Sequence, residues 1–291
     1  MEPEVKPKLY FANDCSAYHG GSWAVADVIR RQAKAAGWRV VTERSKTKIS
    51  ERSVLGCDML LVNGEGTLHH DRPRARHLIS LLRMAQENGI RTALVNTSWA
   101  DMAEDCAPVL RNLDILSVRE PASALRVEAM TGRRPDIMPD LSLQHPLSVA
   151  RTAHRKGILV TDFYIPDFGI FMAANGGDLA RQRQLDMRRM GWRRTLYHVA
   201  RCEVLVTGRF HGLCAALATR TPFVAWSGNT DKVEAFLGYL GAEELIPQSA
   251  DALLDMARNW KVRQVLYEAV FDRVAGIDPW VLPPALHKQA N

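Results

Sequence analysis

Val204-Leu205-Val206-Thr207-Gly208-Arg209-Phe210-His211-Gly212 reads as a short apolar strand, a glycine turn and the start of an alanine-rich helix. An apolar run of this length, without alternation, is what a strand buried on both faces of a parallel sheet looks like. Arg209 and His211 then fall where the helix N-terminus presents unpaired N–H groups and its positive end. That arrangement favours a phosphate or a carboxylate. Gly208 and Gly212 let the backbone come close to such a ligand, and Ala215, Ala216 and Ala218 predict a helix lying close against the sheet. Pro222 to Ala225 gives the neighbouring strand, followed by Ser227-Gly228-Asn229-Thr230-Asp231-Lys232. Arg209, His211, Lys232 and Asn229 form a candidate anion-binding set. A lone histidine at a helix start is usually structural, but Arg, His and Lys at adjacent strand ends are less often so.

Outward from this stretch, strand-like runs alternate with helical patterns. Leu9–Ala12, Arg39–Thr42, Met59–Val62, Ala93–Val95 and Ile115–Val118 form a first series. Between them lie a helix carrying Val25, Val28, Ile29 and Ala33 on one face, with Ser22 as a candidate N-cap, and another carrying Leu78, Ile79, Leu82 and Ala85. Residues 144–156, polar and basic around Pro146, read as a linker. A second series follows, with strands at Gly157–Thr161, Val204–Val206, Phe223–Trp226 and Leu245-Ile246. Its helices are expected at 212–219, 232–240 and 250–270, and a long loop at 163–177. The expected architecture is α/β, with Rossmann-like domains at 1–148 and 149–291 facing a central cleft, where ligands bind at the carboxyl ends of strands.

Two further segments fall at such ends. Asn63-Gly64-Glu65-Gly66-Thr67-Leu68-His69-His70-Asp71 directly follows a strand. Its two glycines permit close backbone approach, but His69 stands where a dinucleotide fingerprint needs its third glycine, and no Walker lysine follows. The segment suits a site built from Asn63, Gly64, Glu65, Gly66, Thr67, His69 and His70. It also suits a tight turn with solvated polar residues. Adjacent histidines on a loop are not a spaced ligand set, so no metal is expected. Ser117-Val118-Arg119-Glu120 enters a helix through Pro121 and Ser123. Arg119 would hold an anion with its planar fork, or make a salt bridge with Glu120. Asp140 would orient a basic group or serve a turn.

The 291 residues are 47% apolar and 24% charged, a globular composition, and 38 basic against 32 acidic residues leave a net charge of +6. Such a surface suits an anionic substrate, a nucleic acid or an anionic membrane face. The five cysteines are scattered without a C-x-x-C pair, and no apolar run approaches a membrane span. A cytoplasmic protein is expected, with loose attachment to the inner face of a membrane as an option. There is no Asp-x-Asp motif and no Gly-x-Ser-x-Gly elbow, which disfavours a metal-dependent GT-A transferase and a serine hydrolase. A non-catalytic nucleic-acid binder lacks aromatic–basic interleaving, and the positive charge reads as dispersed.

Taken in order, Asn63-Gly64-Glu65-Gly66, Ser117-Val118-Arg119-Glu120 with Ser123, Pro139-Asp140, and Gly208-Arg209-Phe210-His211-Gly212 through Lys232 resemble the polysaccharide pyruvyl transferase family. The resemblance runs from Asn13 to Lys232, and the Arg-x-His-Gly element is its most specific part. It implies two Rossmann domains as in GT-B glycosyltransferases, an acceptor side in the first and a donor side in the second. It further implies transfer of the enolpyruvyl group of phosphoenolpyruvate to a hydroxyl pair of a saccharide or lipid-linked saccharide, with no cofactor. His211 would act on the donor or the leaving phosphate. Arg119, Arg209 and Lys232 would bind its anionic groups. Glu65, which interrupts the family's usual glycine run, or His69 would deprotonate the acceptor. An acidic residue there suits a nucleotide-sugar donor, such as a CMP-linked acidic sugar, at least as well.

Overall fold

The structure, a computed structural model, describes residues 6–42, 49–147, 149, 154–163, 181–227 and 231–285. The chain divides into two compact units. Unit 1 comprises residues 1–17, 25–141 and 279–291, and unit 2 comprises 18–24 and 142–278. Each therefore takes in a piece from the other end of the chain.

Unit 1 is built on six parallel strands: β1 (Lys8–Ala12), β2 (Arg39–Val41), β3 (Met59–Glu65), β4 (Arg91–Thr97), β5 (Ile115–Val118) and β6 (Asp136–Ile137). Their order is β2-β1-β3-β4-β5-β6, so the chain reverses its direction of travel between β1 and β3. Every residue of β3 is buried, as expected for a strand covered on both faces. The helices are α1 (Gly20–Ala35), α2 (Glu51–Leu55), α3 (Pro73–Glu87), α4 (Ala107–Arg111) and α5 (Pro121–Thr131). α3 and α5 open on a proline, whose missing N–H costs nothing in a first turn. α5 ends on Gly132 in the left-handed region, φ +72°.

α1 starts at Gly20, not at Ser22. His19 caps it, its Nδ1 accepting the Ser22 N–H at 3.3 Å. The first turn of α1 belongs to unit 2 and the rest to unit 1. At the other end of the chain Leu282 joins the unit 1 core, and the Ala285 N–H donates to the Ala36 carbonyl.

Among its described residues unit 2 holds four parallel strands: β7 (Ile158–Phe163), β8 (Arg183–Leu185), β9 (Val204–Gly208) and β10 (Phe223–Ala225), in the order β10-β9-β7-β8. Here the reversal lies between β7 and β9. Its helices are α6 (Trp192–Val199), α7 (Phe210–Ala218), α8 (Lys232–Tyr239), α9 (Ala250–Arg258) and α10 (Gln264–Ala275). Leu245 closes a 3-10 turn from Glu243 rather than starting a strand. The expected long helix at 250–270 is broken by a second 3-10 turn at Trp260–Arg263, where Asn259 and Trp260 interrupt the apolar period. Of the loop expected at 163–177, Phe163 is the last residue of β7, and 164–177 lies outside the described residues. Ala215 and Ala216 are fully buried, as the close packing of α7 requires, whereas Ala218 is exposed.

Among the described residues no helix is long and apolar enough to cross a membrane. The five cysteines are buried, and none is in a disulfide.

Candidate active site

In an open parallel sheet, the strands on either side of a reversal leave a crevice at their carboxyl ends. In unit 1 that position lies between β1 and β3. Asn13 follows β1 and donates through Nδ2 to the Asn63 carbonyl (2.7 Å) and to Thr67 Oγ1 (3.1 Å). Arg74, in the first turn of α3, donates to Asn13 Oδ1 at 2.9 Å. Asn63 Oδ1 accepts from Asn96 Nδ2 (3.1 Å), and Asn96 Oδ1 accepts the Leu141 N–H (3.0 Å). Asn63 Nδ2 donates to Glu65 Oε2 at 3.4 Å. The three amides and Glu65 are buried.

Three of these residues have positive φ: Asn13 at +59°, Glu65 at +44° and Asn96 at +54°. Asparagine tolerates that region through local hydrogen bonds, but a glutamate there is strained by about 1–3 kcal/mol. They lie at the carboxyl ends of β1, β3 and β4, three adjacent strands. Such strain persists only where the surroundings fix it, and it gathers at functional edges. Gly64 is required for a separate reason: a Cβ there would collide with the Thr97 side chain on β4. Cys15 belongs to the same group. Burial first, and then the charge of Glu65, push its thiol well above the ordinary range, and it donates a hydrogen bond to that carboxylate.

His69 is buried and bridges to Ala100. The ring of His70 stands 4.9 Å from that of His69, and its Nδ1 lies 2.8 Å from the exposed carboxylate of Asp101. Gly66 and Thr67 turn the chain between Glu65 and His69, with the Thr67 N–H donating to the Gly64 carbonyl. Arg119 is 1% exposed. Its Nη1 donates to Asp140 Oδ2 at 3.0 Å and its Nη2 to Ser98 Oγ at 2.7 Å. Burial opposes its charge, yet Asp140 and then Glu120 outweigh burial and hold its pKa above the usual value. Of the two roles open to Asp140, orienting a basic group is the one seen. The close partner of Arg119 is Asp140; Glu120 instead accepts from Ser98 and Ser123.

In unit 2 the reversal lies between β7 and β9, and the same position holds an ion pair. Arg209, directly after β9, donates through Nε to Asp162 Oδ2 at 2.6 Å, and its Nη2 bonds the same oxygen. Asp162 Oδ1 accepts the Met187 N–H at 2.7 Å. The Arg209 N–H donates to Thr207 Oγ1 (3.1 Å), which also meets Thr161 Oγ1 at 2.8 Å. These two threonines fix the ends of β7 and β9 together. Gly212 has no room for a Cβ, which would run into Thr207 Oγ1.

His211 sits in the first turn of α7, buried, with its ring 4.8 Å from that of His19 at an interplanar angle of 62°. Gly21, in the first turn of α1, makes room for it: a Cβ there would fall 2.5 Å from His211 Cβ. Gly20 is equally confined, with the Trp192 backbone nitrogen 2.5 Å from a Cβ. Lys232 opens α8 and is half-buried. Asn229 lies outside the described residues.

Asn63, Glu65, Arg209 and His211 are legible as site residues in the sequence, whereas their partners Asn13, Asn96, Cys15, His19 and Asp162 are not. Asn13 and Asn96 carried a usable signal, since each directly follows an apolar run, Leu9–Ala12 and Ala93–Val95, where left-handed backbone favours asparagine.

A family model described as polysaccharide pyruvyl transferase matches residues 5–229. Among solved structures, a UDP-N-acetylglucosamine 2-epimerase described as putative, from Listeria monocytogenes, superposes with a TM-score of 0.58 at 8% identity, covering 95% of this chain and 93% of that one. The UDP co-structure of MnaA from S. aureus gives 0.56 at 9% identity, over 92% and 91%. The O-GlcNAc transferase of Thermobaculum terrenum gives 0.51 at 12%, over 96% of this chain and 65% of that one. At these identities the likeness establishes a GT-B-like fold and nothing about donors. No curated protein sequence matches the chain.

Proposed function

The chain belongs to the polysaccharide pyruvyl transferase family, and from that premise we propose that it transfers the enolpyruvyl group of phosphoenolpyruvate to two hydroxyls of a saccharide. The observation that carries this reading is the content of the crevice position in unit 2. A cationic fork, Arg209, and an imidazole, His211, stand there at a helix N-terminus, the surroundings a small donor with two anionic groups needs.

In this reaction a proton goes to the methylene carbon of the donor and its central carbon becomes electrophilic. One acceptor hydroxyl adds, phosphate leaves with the electrons of its C–O bond, and the second hydroxyl closes the ketal. Two C–O bonds form, one breaks, and no oxidant or cofactor is consumed. Arg209 binds an anionic group of the donor, with Lys232, Asn229 and Arg119 as further contributors. His211 delivers the proton or receives the leaving phosphate. Glu65 takes the hydroxyl proton, with His69 as the other candidate base. The acceptor is a saccharide or lipid-linked saccharide.

One observation favours a second donor class. Glu65 is an anchored, buried carboxylate, which serves glycosyl transfer from a nucleotide-activated sugar equally well. Thermal-shift titration with phosphoenolpyruvate, CMP, UDP and GDP separates the two. A ligand at 100 times its dissociation constant stabilises the protein by about 2.7 kcal/mol. Phosphoenolpyruvate alone should do so; a response only to nucleotides would replace this reading with the second.

A further inference from the structure

The positive charge of the chain is not dispersed. Between Arg181 and Arg201 there are seven arginines and one acidic residue, Asp186. That local excess of six equals the excess of 38 basic over 32 acidic residues in the whole chain. Everything outside these 21 residues is balanced.

The segment folds as β8, a turn and α6. Trp192, Thr195, Leu196 and Val199 bury one face of α6, while Arg193, Arg194 and Tyr197 are exposed on the other. The guanidinium of Arg201 stacks over the Tyr197 ring at 3.6 Å. Arg183, from β8, reaches His198 Nδ1 at 3.3 Å. Burial first, and then Arg183, Arg194 and Arg201, depress the pKa of His198, so three arginines surround that ring. Arg188 and Arg189 are paired with Asp186 at 3.2 and 3.5 Å. Arg193 and Arg194 make no ion pair among the described residues.

Those two arginines also stand in the wrong place for stability. They occupy the first turn of α6, which contains no acidic residue, and cations there oppose the helix dipole. Fold stability alone gives no reason to hold them there. A surface that keeps like charges against its own helix is built to meet opposite charge outside the molecule.

We propose that the outer face of α6, with Arg183 and Arg201 beside it, docks unit 2 onto an anionic phospholipid surface. The single half-exposed Tyr197, capped by a guanidinium, suits the headgroup layer, where amphipathic rings settle. A nucleic-acid surface would call for several aromatic platforms for bases, and among the described residues the patch has one. The proposal does not depend on which donor the enzyme uses.

The test is flotation of the full chain with phosphatidylcholine vesicles containing about one-third phosphatidylglycerol, against phosphatidylcholine alone. The chain should float with the anionic vesicles only, and high salt should release it. Arg193→Gln with Arg194→Gln should weaken binding about 25-fold, since each basic residue near such a surface contributes about fivefold. The melting temperature should be unchanged or slightly higher. Equal binding to neutral vesicles, or undiminished binding by the folded double variant, would overturn the proposal. So would displacement from the vesicles by stoichiometric single-stranded DNA.

Discussion

Arg209 and Asp162 form a two-point ion pair across the ends of β9 and β7, through Arg209 Nε at 2.6 Å and Nη2 to the same carboxylate oxygen. Both side chains are largely shielded, at 11% and 14% exposure. Asp162 therefore holds the cation at the crevice position and also offsets part of its charge. Asp162→Ala should cost about 1.5–3 kcal/mol of stability, the value of hydrogen bonds to a charged group. An anionic donor should recover much of that loss. The upward melting shift produced by saturating phosphoenolpyruvate should be larger in the variant than in the parent. An equal or smaller shift would mean that Arg209 does not meet the donor's charge.

Gly21 gives a second test within unit 2. A methyl group there must displace His211, because the contact is with the base of its ring rather than a flexible tip. Gly21→Ala should lower turnover roughly 10²-fold, within the range that acid–base groups contribute, and should leave the donor-induced melting shift in place. Retained turnover would remove His211 from the chemistry.

Glu65→Gln keeps the shape and the Asn63 hydrogen bond but cannot take a proton. Turnover should fall by roughly 10²–10⁴. The melting temperature should hold or rise, since no buried charge remains to be satisfied. If steady-state assays of the folded variant show normal turnover, the base lies elsewhere, and His69 is the next residue to replace.

Alkaline pH should destabilise the protein. Burial pushes the Cys202 thiol up to about 12 and raises the Tyr267 hydroxyl well above its ordinary range. In the unfolded chain these groups lose protons at lower pH than in the folded one, so the unfolded state binds fewer protons and stability falls as pH rises. The contribution of Cys202 is complete below about pH 9 and is lost progressively towards pH 12. Denaturant midpoints measured across that window should decline, and a flat profile would contradict the burial of these groups.

The strand–helix alternation was legible because buried parallel strands are short apolar runs bracketed by glycine or polar breaks, as at Met59–Val62 and Val204–Val206. β6 and β8 were not, being two and three residues long and partly polar, as Arg183-Gln184-Leu185 shows. The exchange of chain ends left no local trace. The grouping of Tyr18–Ala24 with residues 142–278 rests on contacts such as Gly20 against Trp192, far apart in sequence. At the candidate site, Arg209 and His211 were visible through their glycine-flanked setting. Asp162 was not, because one aspartate at a strand end has no periodicity or motif to mark it. Arg119 stood out from its strand-end position, but its depth and its pairing with the Asp140 carboxylate did not, because Asp140 lies 21 residues on with no motif to link the two. Removing Asp140 alone would strand that charge.

The central claim is the donor. Purified enzyme incubated with phosphoenolpyruvate and a panel of saccharides should release inorganic phosphate. One acceptor should gain, in step with that release, the mass of a pyruvyl ketal by mass spectrometry. Nucleotide release from a CMP- or UDP-sugar with glycosylated acceptor, and no phosphate from phosphoenolpyruvate, would contradict the account.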